Sequence, residues 1–381
     1  MSAITDVRAA GDGPLGALCS AVDALGPEAI LLLRDARSGA SAVVVVDNVA
    51  CGPAIGGLRM AADVTVDEVA RLARAMTLKS AAARLRHGGA KAGIVADPSM
   101  PERDKEAVIR WFAQAIRDVQ SYIPGPDMGT DERCMAWIHD EIGRSVGLPA
   151  SLGGIPLDEL GATAFGLAAA AEAAAAAGAV DLQGARVAIQ GFGAVGSHTA
   201  RFLAERGASI VAVSDIRGAI VDPTGLRVDD LMAWKRRGKG IATFPGGTAV
   251  ERDTVLATDC DILVPAARPD AITEANVHEV KAKLVLEGAN IPITAAAEET
   301  LHDRGVLCLP DWIVNAGGVI CASVEYAGAG RARAFEQIAE TVRENTAAVI
   351  ERARARSVPP RTAALELAVA SVREAQSFRR Y

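Results

Sequence analysis

Residues 186–215 restrict the fold more than any other stretch. Arg186-Val-Ala-Ile-Gln190 is an apolar run of strand length, and Gly191-Phe-Gly193-Ala194-Val195-Gly196 follows it directly. A helical pattern then runs from about Val195 to Arg206 and stops at Gly207. Ser209-Ile-Val-Ala-Val213 reads as a second strand, ending in Ser214-Asp215. A G-x-G-x-x-G pattern alone is a weak signal. Between a strand and a helix, with an acid 19 residues past its last glycine, it is a strong one. The glycines let main chain approach a pyrophosphate, the helix N-terminus supplies positive potential, and the acid reaches ribose hydroxyls. Gly191, Gly193, Ala194, Val195, Gly196 and Asp215 are therefore the expected dinucleotide-binding residues. Asp215 favours NAD, because its charge would repel a 2′-phosphate. Arg217, two residues on, keeps NADP open.

Strand and helix patterns keep alternating. Asp261-Ile-Leu-Val264, Leu284-Val-Leu286 and Gly305-Val-Leu-Cys308 read as strands. In an open parallel sheet, ligands lie outside the carboxyl ends of the strands. Asn290 is at such an end, where its amide can hold a nicotinamide ribose or a substrate carboxylate. An asparagine in a tight turn fits the local sequence equally well. An almost pure alanine helix is expected from Thr163 to Ala177, and a long helix from 331 to about 355. Lys235-Arg236-Arg237 reads as a solvated helix end.

The first third is organised differently. Residues 29–33 and 42–46 suggest a hairpin. Gly56-Gly57 brings main chain close to a ligand or is an ordinary loop; these residues fit both. Thr65-x-x-Glu68 is a capping box that starts a helix whose apolar stripe, Val69, Leu72, Ala73 and Met76, continues onto Lys79. Lys79 thus points where the helix buries itself. Lys91 follows Gly88-Gly89-Ala90 and leads into a strand from Ala92 to Ala96. Two cations close together, partly buried, push one toward neutrality, and a neutral lysine is a usable general base. By itself the pattern fits a solvent-reaching Lys79 and a loop Lys91 as well. Residues 102–121 suggest an amphipathic helix. Asp127 follows in a loop hemmed by Pro124, Gly125, Pro126 and Gly129; Thr130 or Asp131-Glu132 can cap the next helix, leaving Asp127 for other work.

Composition narrows the class. Of the 381 residues half are hydrophobic and 4% aromatic, so the core is aliphatic; the net charge is −7 without a basic block, which argues against nucleic acid as a partner. No apolar run is long enough to span a membrane. The first 16 residues carry neither a basic n-region nor an apolar h-region, so no signal peptide is expected. The six cysteines are scattered, with no Cys/His ligand spacing. The expectation is free thiols in the cytoplasm and no metal.

Taken together, Gly52-Pro-Ala-Ile-Gly56-Gly57-Leu-Arg59, Met76-Thr-Leu-Lys79, Gly88-Gly-Ala-Lys91, Pro126-Asp127-Met-Gly-Thr130, Glu287-Gly-Ala-Asn290 and Asn315-Ala-Gly-Gly318 resemble the glutamate/leucine/phenylalanine/valine dehydrogenase family. The order of the motifs and the twelve-residue interval between the lysines are also similar to the family's. The resemblance implies reversible oxidative deamination of an L-amino acid to a 2-oxo acid and ammonia, and a homo-oligomer. It implies that Lys79 binds the substrate α-carboxylate, that Lys91 activates water and polarises the carbonyl, and that Asp127 moves protons at the amino nitrogen. Asn290 and the Gly56-Gly57 main chain would fix carboxylate and cofactor, and Thr163 looks like the family's cofactor-side threonine. Glutamate-specific members carry a lysine where Ile55 stands and a serine where Ala322 stands, so both partners of a side-chain carboxylate are missing. An apolar substrate is expected: leucine, valine or isoleucine, or phenylalanine if the small Ala322 leaves room; the alternatives are glutamate, its side-chain carboxylate held by another cation such as Arg59, and a dinucleotide-binding subunit without catalysis. The cofactor half, with Val213 to Gly218, looks more like glutamate dehydrogenases. Arg86-His87 departs from the family, and His87 is expected to be exposed.

The expected fold class is α/β with two domains. Residues 1–150 form an N-terminal α/β substrate-binding and oligomerisation domain, and 151–330 a Rossmann, doubly wound, dinucleotide-binding domain. Residues 331–381 form C-terminal helices that pack back across both.

Overall fold

Alternating apolar runs and capped helices produce two α/β units, seen in a computed structural model that describes residues 22–379. The N-terminal stretch read for a signal peptide, and Cys19 with it, lie outside the described residues. Among the described residues, one unit comprises 22–156, 319–334 and 367–379; the other comprises 157–318 and 335–366. By this division the first boundary lies at 156/157, six residues past the expected one, and the C-terminal residues contribute to both units.

The first unit is built on five strands: β1 (Ala29–Arg34), β2 (Ser41–Asn48), β3 (Ala54–Ala61), β4 (Gly88–Val95) and β5 (Tyr122–Pro126), in the order β1-β2-β4-β3-β5. The β1/β2 hairpin forms, antiparallel as expected. β4 joins β2 antiparallel and β3 parallel, and β5 joins β3 parallel. β4 begins at Gly88, so Lys91 lies within the strand instead of before it. Both faces of the sheet are buried. Val44, Val46, Ala92 and Ile94 pack with apolar residues of α2 (Glu102–Ala115) and α3 (Glu132–Ile142), while Val43 and Val45 pack with Val69, Ala70 and Ala73 of α1 (Val66–Ala82). That split follows from the two-residue period of a strand. α2 stops at Ala115, short of the expected 121.

The second unit carries the Rossmann sheet. β6 (Arg186–Gln190), β7 (Ser209–Asp215), β10 (Ile262–Pro265), β11 (Leu284–Leu286) and β12 (Leu307–Leu309) are parallel. β8 (Gly218–Val221) and β9 (Thr248–Val250) extend the β7 edge antiparallel. The order β12-β11-β10-β6-β7-β8-β9 reverses direction between β6 and β10, the switch point where ligands bind in doubly wound sheets. The antiparallel pair β8/β9 was not among the strands expected from the sequence. The helices begin with α4 (Leu157–Leu160), α5 (Ala162–Ala176), α6 (Ala194–Ala204) and α7 (Val228–Arg236). They continue with α8 (Ala295–Asp303) and α9 (Asp311–Val314). α5 has no polar stripe and is buried along most of its length, as an all-alanine helix between other layers must be. α10 (Gly317–Tyr326), α11 (Arg331–Arg356) and α12 (Pro360–Ser377) complete the chain. Among the described residues, no helix is long and apolar enough to cross a membrane.

Candidate active site

In the first unit, strand alternation decides where Lys91 points. Its neighbours Ala90 and Ala92 belong to the core shared with α2 and α3, so Lys91 faces the side covered by α1. Lys79 stands on α1 and is buried, as the continuation of the apolar stripe required. The helix starts where expected: Thr65 Oγ1 accepts the Glu68 N–H at 3.2 Å. The other half of the capping box does not form, because the Glu68 carboxylate pairs with Arg59.

Lys91, 5% exposed, places its Nζ 3.0 Å from Asp127 Oδ1. Arg59 Nε donates to Asp127 Oδ2 at 3.0 Å. Burial alone would raise the Asp127 carboxyl. The Lys91 ammonium and the Arg59 guanidinium outweigh burial and hold it below the usual carboxylate range. Lys91 thus has a carboxylate as a direct partner. Asp127 directly follows β5. Its N–H donates to Thr130 Oγ1 at 3.0 Å, whose hydroxyl donates to Leu58 O at 2.7 Å. Asp131 caps α3 by accepting the Cys134 N–H, which leaves Asp127 out of capping, as anticipated. Gly57 makes the pair possible. A Cβ there would lie 2.9 Å from Asp127 Cβ and 3.1 Å from Lys91 Nζ. The Gly56 carbonyl accepts the Tyr122 hydroxyl at 3.0 Å. Ile55 on β3 and Ala322 on α10 are both buried.

His87 corrects an expectation. It is buried, not exposed: Nδ1 lies 3.0 Å from Pro53 O and the ring meets Tyr326 edge-on. Burial lowers its pKa, against the pull of the Pro53 carbonyl. The segment before β4 is folded inward by the Gly88 N–H bond to Gly52 O.

In the second unit, the glycine motif occupies the switch point. Gly191 has φ +95°, and a Cβ on Gly196 would lie 1.8 Å from Gly191 O, so neither position tolerates a side chain. α6 begins at Ala194 behind Gly193, with no side-chain cap on its first N–H groups. Gln190 Oε1 and Asn315 Oδ1 are buried without hydrogen-bond partners, the kind of acceptor that a ligand N–H or O–H satisfies. This donor and acceptor set fits a dinucleotide. Thr163 is in the first turn of α5, where a Cβ on Gly318 would come within 3.0 Å of its Oγ1. Asn290 follows β11, and Asn315 Nδ2 donates to its Oδ1 at 3.3 Å.

Asp215 ends β7 and is buried. Its Oδ1 accepts the Arg217 N–H at 2.8 Å; its Oδ2 accepts from Lys235 Nζ at 2.6 Å and from the Ile241 N–H at 3.2 Å. Burial would raise its carboxyl, but these partners, Lys235 foremost, hold it low. Lys235 was expected at a solvated helix end. Arg236 and Arg237 at the end of α7 are exposed as expected, but Lys235, half-buried, turns its ammonium onto the Asp215 carboxylate at the end of β7.

Three residues escaped the sequence reading of the site: Arg59 as the partner of Asp127, Asn315 as the partner of Asn290, and Lys235. Only the first had a signal, since Arg59 stands two residues past Gly57 and so shares its face of β3.

Comparison with known proteins places the chain in a family. Residues 153–380 match the profile of glutamate/leucine/phenylalanine/valine dehydrogenase, and 30–144 match the Glu/Leu/Phe/Val dehydrogenase dimerisation domain. The NADP-specific glutamate dehydrogenase of Saccharolobus shibatae is 40% identical over 293 residues, 74% of this chain and 69% of that one. The hetero-hexameric glutamate dehydrogenase of Thermus thermophilus, in its Leu-bound form, superposes with a TM-score of 0.84 at 30% identity, over 95% of this chain and 92% of that one. The L-tryptophan dehydrogenase of Nostoc punctiforme superposes with a TM-score of 0.71 at 25% identity, over 92% and 97%. The chain belongs to the glutamate/leucine/phenylalanine/valine dehydrogenase family and is an amino acid dehydrogenase.

Proposed function

We propose that the chain catalyses reversible, NAD(P)-dependent oxidative deamination of an apolar L-amino acid, with leucine, valine and isoleucine first, to its 2-oxo acid and ammonia. The observation that carries the chemistry is the Lys91–Asp127 pair, held at 3.0 Å over a glycine. In this reading Lys79 holds the substrate α-carboxylate. Asp127, kept ionised by its two cations, takes a proton from the amino group. The nicotinamide cofactor, held by the Gly191–Gly196 turn, Thr163 and Asn290, supplies the hydride acceptor for the α-carbon. The Lys91 ammonium then orients the water that adds to the imine carbon and stabilises the charge on the new oxygen, the two water protons passing to solvent as the carbonyl forms. When the carbon–nitrogen bond breaks, Asp127 returns a proton to the departing ammonia. Because Lys235 offsets the charge on Asp215, the objection to a 2′-phosphate weakens, and NADP belongs beside NAD in this reading.

The apolar choice is supported by Ile55 and Ala322, both buried and without charge. Arg59, the alternative cation for a side-chain carboxylate, is already engaged by Asp127 and Glu68. A desolvated carboxylate without a partner costs on the order of several kcal/mol. Glutamate is the second reading, favoured by the 40% identity to a glutamate dehydrogenase. Initial rates on leucine, valine, isoleucine, phenylalanine and glutamate separate them. The expected order puts the branched aliphatics first, with Ile55→Lys moving the ratio toward glutamate. Glutamate turning over fastest in the native chain sinks the apolar reading, and cofactor binding with no turnover on any of the five sinks catalysis itself. Self-association goes with this reading, since the dimerisation profile covers 30–144, and light scattering tests it. The five described cysteines, all free thiols, support a reducing compartment such as the cytoplasm.

A further inference from the structure

Arg361, in the first turn of α12, is the hub of a buried charge cluster that the proposed chemistry does not use. Its Nη2 donates to both Glu287 oxygens at 2.7 and 2.6 Å, its Nη1 to Asp311 Oδ1 at 3.2 Å, and its Nε to Glu298. The guanidinium lies over the Trp312 ring, 4.6 Å from the centroid. Glu287 and Asp311 are closed to solvent at 0% and 1%. A buried ionic network adds little stability over apolar packing of the same volume, so its use is sought in geometry.

The geometry leads to one loop, 288–291. Asp311 Oδ2 accepts the Ile291 N–H at 3.2 Å. Ile291 has φ +49°, a left-handed conformation that a β-branched residue keeps only under constraint. The Asp311 N–H donates to Glu287 Oε2 at 3.3 Å, and Asp311 O accepts the Asn315 N–H at 2.8 Å. Asn315 Nδ2 in turn reaches Gly288 O and Asn290 Oδ1, each at 3.3 Å, and Ala289 O at 3.4 Å. The main chain on either side of Asn290, and its side chain, are thus tied to Asp311, and Asp311 is tied to Arg361.

We propose that Arg361 is a positioning residue for Asn290, acting through Asp311, Ile291 and Asn315 to hold that amide in one place for its ligand. The inference rests on the reading of Asn290 as a contact of the nicotinamide ribose or the substrate carboxylate. Its test uses the full chain and two constants: the NADH dissociation constant, from fluorescence titration without substrate, and KM for the preferred amino acid. Asn290→Ala identifies which constant Asn290 governs. Arg361→Lys keeps the charge but cannot fork to three acidic side chains, and it should weaken that same constant by about 10-fold, leaving the other within about 2-fold. The double variant should be no worse than Asn290→Ala alone, because both act on one contact. A general loss of structure would instead lower the melting temperature and move both constants together. If Arg361→Lys does not fold, Asp311→Asn, nearly isosteric, should move the same constant in the same direction. Asn290→Ala with a changed constant, beside Arg361→Lys and Asp311→Asn without one, overturns the inference alone. Additive effects in the double variant also overturn it. If Asn290→Ala changes neither constant, the reading of Asn290 fails and the inference fails with it.

Discussion

The Glu287 cluster should make the protein less stable as pH rises through neutrality. Burial, joined by the Asp311 and Glu298 carboxylates, pushes the Glu287 carboxyl from 4.5 up to about 8, against the pull of Arg361. The folded state therefore holds a proton that the unfolded chain releases near 4.5. A carboxyl raised in this way gives stability that is fully present below 4.5 and is lost as pH climbs toward 8. The slope of one such proton is at most about 1.4 kcal/mol per pH unit. Glu287→Gln removes the titration. Glutamine cannot accept from Arg361 on both arms, so the variant should be less stable than the native chain at pH 5. The two should then converge by up to about 1.4 kcal/mol for each unit toward pH 8. Urea unfolding at pH 5, 6, 7 and 8, at fixed protein concentration, measures the difference. The buried His87 and His198, whose pKa values burial lowers, titrate in both proteins and cancel in it. Parallel curves across the four pH values would refute the argument, whatever their separation.

Other consequences follow from the residues around Asp127 and Asp215. Asp127→Asn and Lys91→Ala should each lower kcat by about 100- to 10,000-fold with little change in NADH affinity, checked by steady-state kinetics and fluorescence titration. Arg59→Gln removes one of the two cations that hold Asp127 low, so the acid limb of the kcat/KM pH profile should move to higher pH; an unmoved limb would mean Lys91 alone sets that group. Lys235→Gln uncovers the charge of Asp215, and NADP should lose affinity by about 10-fold relative to NAD in paired titrations. Equal losses for both cofactors would place Lys235 outside discrimination.

The cofactor half could be read from the chain because its signals are local. A strand, a glycine turn, a helix and an acid occur within 30 residues, and each obeys rules of backbone sterics and periodicity that hold wherever the unit is found. The same is true of the Thr65 cap, the apolar stripe that carries Lys79 inward, and the hairpin at the start. The sequence by itself determined the two α/β units and the switch-point glycines, and it singled out Lys91 and Asp127 as candidates. What only the tertiary structure decided are pairings between residues far apart in the chain. Arg59 closes on Asp127, Lys235 turns back onto Asp215, His87 is folded inward, and Arg361 gathers Glu287, Glu298 and Asp311. No periodicity encodes these meetings. A charged side chain on a helix or strand reads the same in sequence whether it ends in water or against a buried partner, and that choice is made when the elements pack and water is removed.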